Sequence, residues 1–134
     1  DDYEEGTWTA ALTSATGSLV TDTSYDTGAY SKIGRVVHIQ GYFKISGSTS
    51  PGGDLYIIGL PFTPGTFTDS AHQISASVFA RDLATATTGY VAGFLSDSRL
   101  YIRGGLGTTA LDTGMASRLD TGTQIYISCT YMTS

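Results

Sequence analysis

The sequence predicts an all-β domain: an antiparallel β-sandwich, jelly-roll-like, with about eight strands. Three observations predict it. Period-2 alternation of apolar and polar residues recurs along the chain, and no stretch carries a convincing amphipathic-helix pattern. Only 14% of residues are charged, while Gly (17 residues), Thr and Ser are plentiful, and these are poor helix formers. Clusters of Gly, Ser, Asp and Pro punctuate the alternating runs at short intervals. With 134 residues and 40% hydrophobic content, the chain has enough material for one core and too little for two, so residues 1–134 read as a single domain.

Taken in order, the first strand candidate is TWTAALT (7–13), after an acidic lead-in, DDYEEG. GAYSKI (28–33) follows. RVVHIQGYFKISG (35–47) is the clearest strand: Val37, Ile39, Phe43 and Ile45 share one face, and His38, Gln40, Tyr42 and Lys44 the other. Gly41 interrupts the apolar face where a bulge or a close neighbour fits. DLYIIGL (54–60), ISASVFARD (74–82), TGYVAGFLS (88–96) and RLYIRGG (99–105) are shorter candidates. The stretches SGSTSPGGD, PFTPGTFTDS, LATATTG and GLGTTALDTGMASRLDTG read as connections, and Pro51, Pro61 and Pro64 all fall in them. GFLSDSRLYIRG is the best hairpin, with a tight turn at Ser96 to Ser98. The last strand, TQIYISCTYMTS, sets Ile125, Ile127, Cys129 and Tyr131 against Tyr126, Ser128, Thr130 and Met132. Both of its faces are semi-apolar, which predicts that both are covered.

The net charge is −5, and the basic residues Lys32, Arg35, Lys44, Arg81, Arg99, Arg103 and Arg118 are scattered. Nucleic acid and anionic membrane are poor partners for such a surface. The apolar runs are too short to span a bilayer, so no membrane insertion is expected. Cys129 is the only cysteine, which excludes an internal disulfide; alternation places it inward as a small apolar filler. A chain opening DDYEEG without an initiator Met is expected to be a C-terminal piece of something longer.

Asp-Thr-Gly occurs three times, at Asp26 to Gly28, Asp112 to Gly114 and Asp120 to Gly122. Paired loops of this kind hold the carboxylates of aspartic proteases, where proximity makes the two acids share a proton. Here two copies lie eight residues apart in one loop near the C-terminus, and Asp, Thr and Gly are ordinary turn residues. Turn formation is the better account. His38 and His72 share no ligand spacing, so no metal site and no cofactor are expected. Glu4 and Glu5 are adjacent in an extended segment and point to opposite faces, which suits a solvated lead-in better than a catalytic pair. The aromatic content is a stronger lead. Nine Tyr and one Trp in a Thr- and Ser-rich chain suit sugar binding, and equally a subunit interface. Tyr101 shares a strand face with Arg99 and Arg103, with Asp97 at the adjoining turn.

The opening DYEEGTWTAAL resembles a lead segment of tail fibre and tailspike proteins of tailed bacteriophages, usually Tyr-Glu-Glu-Gly-Thr-Trp-Thr-Pro and then an apolar residue. GAYSKIGRVVHIQGYFKIS is similar to the family's Gly-x-Tyr-x-Lys-Ile-Gly segment and long strand, and GDLYIIGLPFT to its Gly-x-Leu-x-Ile-x-Gly-Leu-Pro-Phe segment. Together they span about the first half of the chain in the family's order; Ala10 stands where proline is common, which only restores a backbone donor. The resemblance implies a C-terminal β-sandwich on a trimeric viral fibre, placed at the virion tail tip and synthesised in the bacterial host cytoplasm. It implies a homotrimer that binds host cell-surface polysaccharide or lipopolysaccharide, with any depolymerase activity in an upstream domain.

Two sets of residues carry this expectation. Tyr126 and Met132, exposed on the last strand, are the candidate trimer interface, and Tyr101, Arg99, Arg103 and Asp97 the candidate carbohydrate site. The alternatives are a stand-alone monomeric carbohydrate-binding module and, as a minor case, a glycan- or peptide-cleaving enzyme completed at a subunit boundary.

Overall fold

The computed structural model describes residues 2–84, 91–104 and 114–134. The described strands are β1 (Tyr3–Thr9), β2 (Ala11–Thr21), β3 (Thr27–Ile33), β4 (Val36–Ile58), β5 (Ile74–Arg81), β6 (Val91–Ser96), β7 (Arg99–Gly104) and β8 (Gln124–Met132). Two single 3-10 turns, Thr68–Ser70 and Met115–Arg118, are the helical pieces among the described residues. Every described pairing is antiparallel.

The antiparallel all-β class expected from the sequence is the fold observed. Its strands close into a five-stranded barrel, β4-β7-β6-β5-β8, with extra strands at the side. Closure comes from two strands that serve both halves. The first part of β4 lies between β3 and β8, and its last part between β2 and β7. Likewise Ile74 to Ala76 of β5 pair with β6, while Ser77 to Arg81 pair with β8. A ring of this kind removes the unpaired edges that two separate jelly-roll sheets would keep.

The long β4 corrects one expected connection. Residues 46–53, rich in Gly and Ser and holding Pro51, continue the strand instead of turning, because Ser18, Leu19 and Val20 of β2 pair with Thr49, Ser48 and Gly47. Register shifts flank this stretch, and Pro51 sits between the pairs Thr16–Gly52 and Ser18–Thr49, where its missing N–H costs no ladder bond. Pro61 and Pro64 do lie in a connection. The first expected strand is also divided. At Ala10 the N–H donates to the Asp26 carbonyl (2.9 Å), and the chain passes from β1, paired with β3, to β2, paired with β4. The donor that a proline would remove is therefore in use.

The alternation holds where it was clearest. Val37, Ile39, Phe43, Ile45 and Ile125 are fully buried, Ile127, Cys129 and Tyr131 nearly so, and Leu55, Ile57, Leu95, Leu100 and Ile102 fill the other half. Gly41 leaves room for the Phe43 ring, which a Cβ would meet at 2.3 Å. Met115 and Ala116 in the second 3-10 turn are fully buried and belong to the same core. The hairpin of β6 and β7 turns at Asp97 (φ 52°) and Ser98 (φ 65°), the doubly left-handed turn that matches strand twist. Among the described residues no helix is long and apolar enough to cross a membrane.

Candidate functional site

The segments around Trp8, Gly28 to Ile33 and Phe62 meet in space as scaffold. Trp8 stands opposite Gly28, and an added Cβ there would lie 2.5 Å from the indole Nε1. Tyr30 meets the Phe62 ring edge to face at 5.2 Å, and Lys32 lies over Phe62 and pairs with Glu4 at 3.1 Å. The buried Tyr131 hydroxyl donates to the Phe62 carbonyl (2.8 Å), tying down the β4–β5 connection. The acidic lead-in is thus strand β1, with one carboxylate in an exposed ion pair.

The described Asp-Thr-Gly copies also have structural roles. Gly28 accommodates Trp8. Asp120 to Gly122 form a turn, with Gly122 at φ 98° donating to the Ile45 carbonyl and Thr123 Oγ1 donating to the Asp82 carbonyl. Asp112 lies outside the described residues. His38 Nδ1 is 2.9 Å from Thr130 Oγ1, and His72 Nδ1 accepts the Phe67 N–H. No group of three or more potential metal ligands occurs among the described residues.

The two sets of functional candidates occupy opposite halves of the barrel. Tyr126 and Met132 lie on the outer face of the half formed by β1, β3, β4, β8 and β5. Register assembles an apolar row there: Tyr3 opposes Ile33, Ile33 opposes Val36, and Val36 opposes Met132. All are exposed, at 49%, 65%, 45% and 43%. A second row runs Tyr25, Tyr42, Tyr126 and Phe79, with successive ring centroids 5.5, 4.8 and 5.6 Å apart. Tyr126 is bound into its own chain: Arg81 donates to its hydroxyl, which holds the guanidinium above its ordinary range, and the hydroxyl donates to Gln124. Between the rows lie two largely polar rungs, Glu5-Ser31-His38-Thr130 beside the apolar row and Thr7-Ala29-Gln40-Ser128-Ser77 beside the aromatic one. The outer side of β8 is therefore open in a single chain, where the sequence led one to expect cover: Ser128, Thr130 and Met132 are exposed.

Tyr101, Arg99 and Arg103 lie on the outer face of β7 in the other half. Cross-strand register adds partners: Tyr56 of β4 and Phe94 of β6 both stand opposite Tyr101. Phe94 and Tyr101 stack at 5.1 Å with planes 14° apart, and Tyr56 lies 5.6 Å from Tyr101. The Arg99 guanidinium covers Tyr56 at 4.7 Å; that of Arg103 lies 4.9 Å from Phe94 and pairs with Asp54 at 3.3 Å. Hydrogen bonding to Tyr101, then the charge interaction with Tyr56, raises the Arg99 pKa above its usual value. Asp97 makes the turn. Neither partner was read from the sequence: the turn is Asp97 and Ser98 alone, with Ser96 paired to Arg99, and this shorter turn is what sets Phe94 opposite Tyr101, while nothing local aligns β4 with β7.

No protein-family model and no curated protein matches the chain. Among solved structures it is similar to the crystal structure of the Dettilon tailspike protein, with a TM-score of 0.82 over 97% of this chain and 15% sequence identity. The likeness is one of fold. The chain spans about a quarter (24%) of that protein's length.

Proposed function

We propose that this chain is an end domain of a tailed-bacteriophage tailspike or tail fibre, which trimerises through the β1-β3-β4-β8-β5 face and binds host-surface glycan on the opposite face. The observation that carries the reading is the Tyr3-Ile33-Val36-Met132 row, an apolar strip assembled from four strands of a domain whose fold is like a tailspike's. Contiguous exposed apolar surface on a soluble domain marks an interface, and a closed cyclic arrangement covers it without leaving an open end. The charged Arg and Asp residues of the β4-β7-β6 face then remain outside, where a ligand reaches them. In this reading the domain belongs to the virion tail, and no catalytic role is assigned to it.

Light scattering on the purified domain tests the assembly. A trimer is expected, and Ile33→Asp or Met132→Asp is expected to give a folded monomer, since burial of an unpaired charge costs about 3–5 kcal/mol. Ile33 is the cleaner site, because Tyr126 also packs within its own chain. A trimer that survives both substitutions sinks the assignment of this face. A second reading, a monomeric carbohydrate-binding module, draws support from the β4-β7-β6 cluster, whose rings and guanidiniums all come from one chain. A wild-type monomer that retains host polysaccharide would favour it.

A further inference from the structure

The two guanidiniums of the β4-β7-β6 face differ in how their charge is met. Arg103 has Asp54 at 3.3 Å. Arg99 is exposed, and among the described residues no carboxylate lies within ion-pairing distance of it. It is nevertheless held, with its Cζ 4.7 Å from the centre of the Tyr56 ring. Stacking on an aromatic ring fixes the plane of a guanidinium and leaves its edge N–H groups as a fork suited to a carboxylate. In a chain of net charge −5, this is a positioned cation that meets Asp97 only through space and forms no ion pair among the described residues.

The rings around it favour polar recognition over sugar stacking. Phe94 and Tyr101 lie against each other at 14°, Arg103 lies by Phe94, and Arg99 takes a face of Tyr56. Ring faces are largely engaged within the chain. What remains for a ligand is a line of hydrogen-bonding groups: the other guanidinium N–H groups, the Tyr56 hydroxyl, and the Tyr101 hydroxyl, which accepts from Arg99 and keeps its proton to donate. From Tyr56 to Phe94 the row crosses two strand intervals, roughly 10 Å, about the length of two sugar rings.

We propose that this face takes an acidic saccharide, a uronic-acid type of residue within a polysaccharide, with Arg99 receiving its carboxylate and Tyr56 and Tyr101 its neighbouring hydroxyls. The inference rests on the glycan-binding reading above and adds the ligand's chemistry to it. A single carboxylate fits better than a phosphate ester. One guanidinium without an ion-paired carboxylate answers one negative charge, and Asp54 on the same face opposes a second.

The test is calorimetric titration of the whole domain with hexuronate-containing oligosaccharides, with the same oligosaccharides after carboxyl reduction, and with hexose-phosphate-containing ones. Carboxyl reduction is expected to weaken binding about ten- to a hundredfold, the usual contribution of a charge-assisted hydrogen bond. Arg99→Gln should produce the same loss for the acidic form and a much smaller one for the reduced form, with a cooperative melt that shows the domain still folded. Arg99→Lys should restore part of it. Equal binding of acidic and reduced forms, no effect of Arg99→Gln, or tighter binding of the phosphate form overturns the proposal while leaving glycan binding in place. Failure to bind any of these together with no retention on host polysaccharide removes the glycan-binding reading itself, and this proposal with it.

Discussion

Gly28 is the position where a single methyl group tests the packing of the scaffold. Its Cβ would stand 2.5 Å from Trp8 Nε1, 2.8 Å from Trp8 Cε2 and 2.7 Å from the Gln40 carbonyl oxygen, all well inside ordinary contact. Neither neighbour is free to retreat. The indole is 5% exposed and meets the fully buried Phe43 edge to face at 5.6 Å, while Gln40 belongs to the β3–β4 ladder. Overpacking a fixed site costs about 1–3 kcal/mol, and the lower unfolded-state entropy of Ala offsets about 0.4–1 kcal/mol of that. Gly28→Ala should therefore lose about 1–2 kcal/mol, read as a fall of about 3–8 °C in Tm and a lower urea midpoint with unchanged slope. Trp8→Phe removes the pyrrole edge that collides. The double variant Trp8→Phe/Gly28→Ala should thus lose less than the sum of the single losses, a coupling of contacting residues. A Gly28→Ala protein that melts with wild type, or strictly additive losses, would refute the seating of Trp8 on Gly28. It would also reopen the Asp26-Thr27-Gly28 motif to a role other than packing.

Alkaline pH should reveal the buried last strand. Burial pushes the Cys129 thiol from 9.0 up to about 11 and the Tyr131 phenol from 10.0 up to about 12. Both groups hold their protons more tightly when folded, so the stability they carry is complete below pH 9 and is lost as pH rises towards 11 and 12. Urea melts across that range should show Cys129→Ala flattening the first part of the fall and sparing the second; an unaltered slope would contradict the burial of the thiol. At the hairpin, Asp97→Asn with Ser98→Gly should stabilise by about 0.5–1 kcal/mol, because both positions have positive φ. If instead that pair of changes abolishes glycan binding without altering the melt, Asp97 is a ligand contact as well as a turn residue. Asp54→Asn should cost under about 1 kcal/mol, since the pair with Arg103 is only partly buried. It should also strengthen binding of an acidic oligosaccharide by removing the opposing charge, and weaker binding would mean that Asp54 itself contacts the sugar.

The sequence alone determined what alternation encodes directly. A period of two assigns each side chain to a face without knowledge of its neighbours, so Val37, Ile39, Phe43 and Ile45, and the inward face of Ile125 to Tyr131, were readable before any pairing was known. The β6–β7 hairpin was readable from a short Ser-Asp-Ser stretch between two alternating runs, but its register was not, because the turn is Asp97 and Ser98 alone and Ser96 pairs with Arg99. Composition misled at residues 46–53, where Gly, Ser and Pro suggest a turn. Pairing with a distant segment, β2, supplies the ladder bonds, and its bulges accommodate the proline. Tertiary structure decided the rest. Ring closure depends on β4 and β5 each bending between two sets of partners, which no local pattern records. The Tyr3-Ile33-Val36-Met132 row and the seating of Tyr56 beside Tyr101 depend on the register of strands far apart in sequence. Each of those residues is ordinary in its own strand, and long-range pairing sets them side by side.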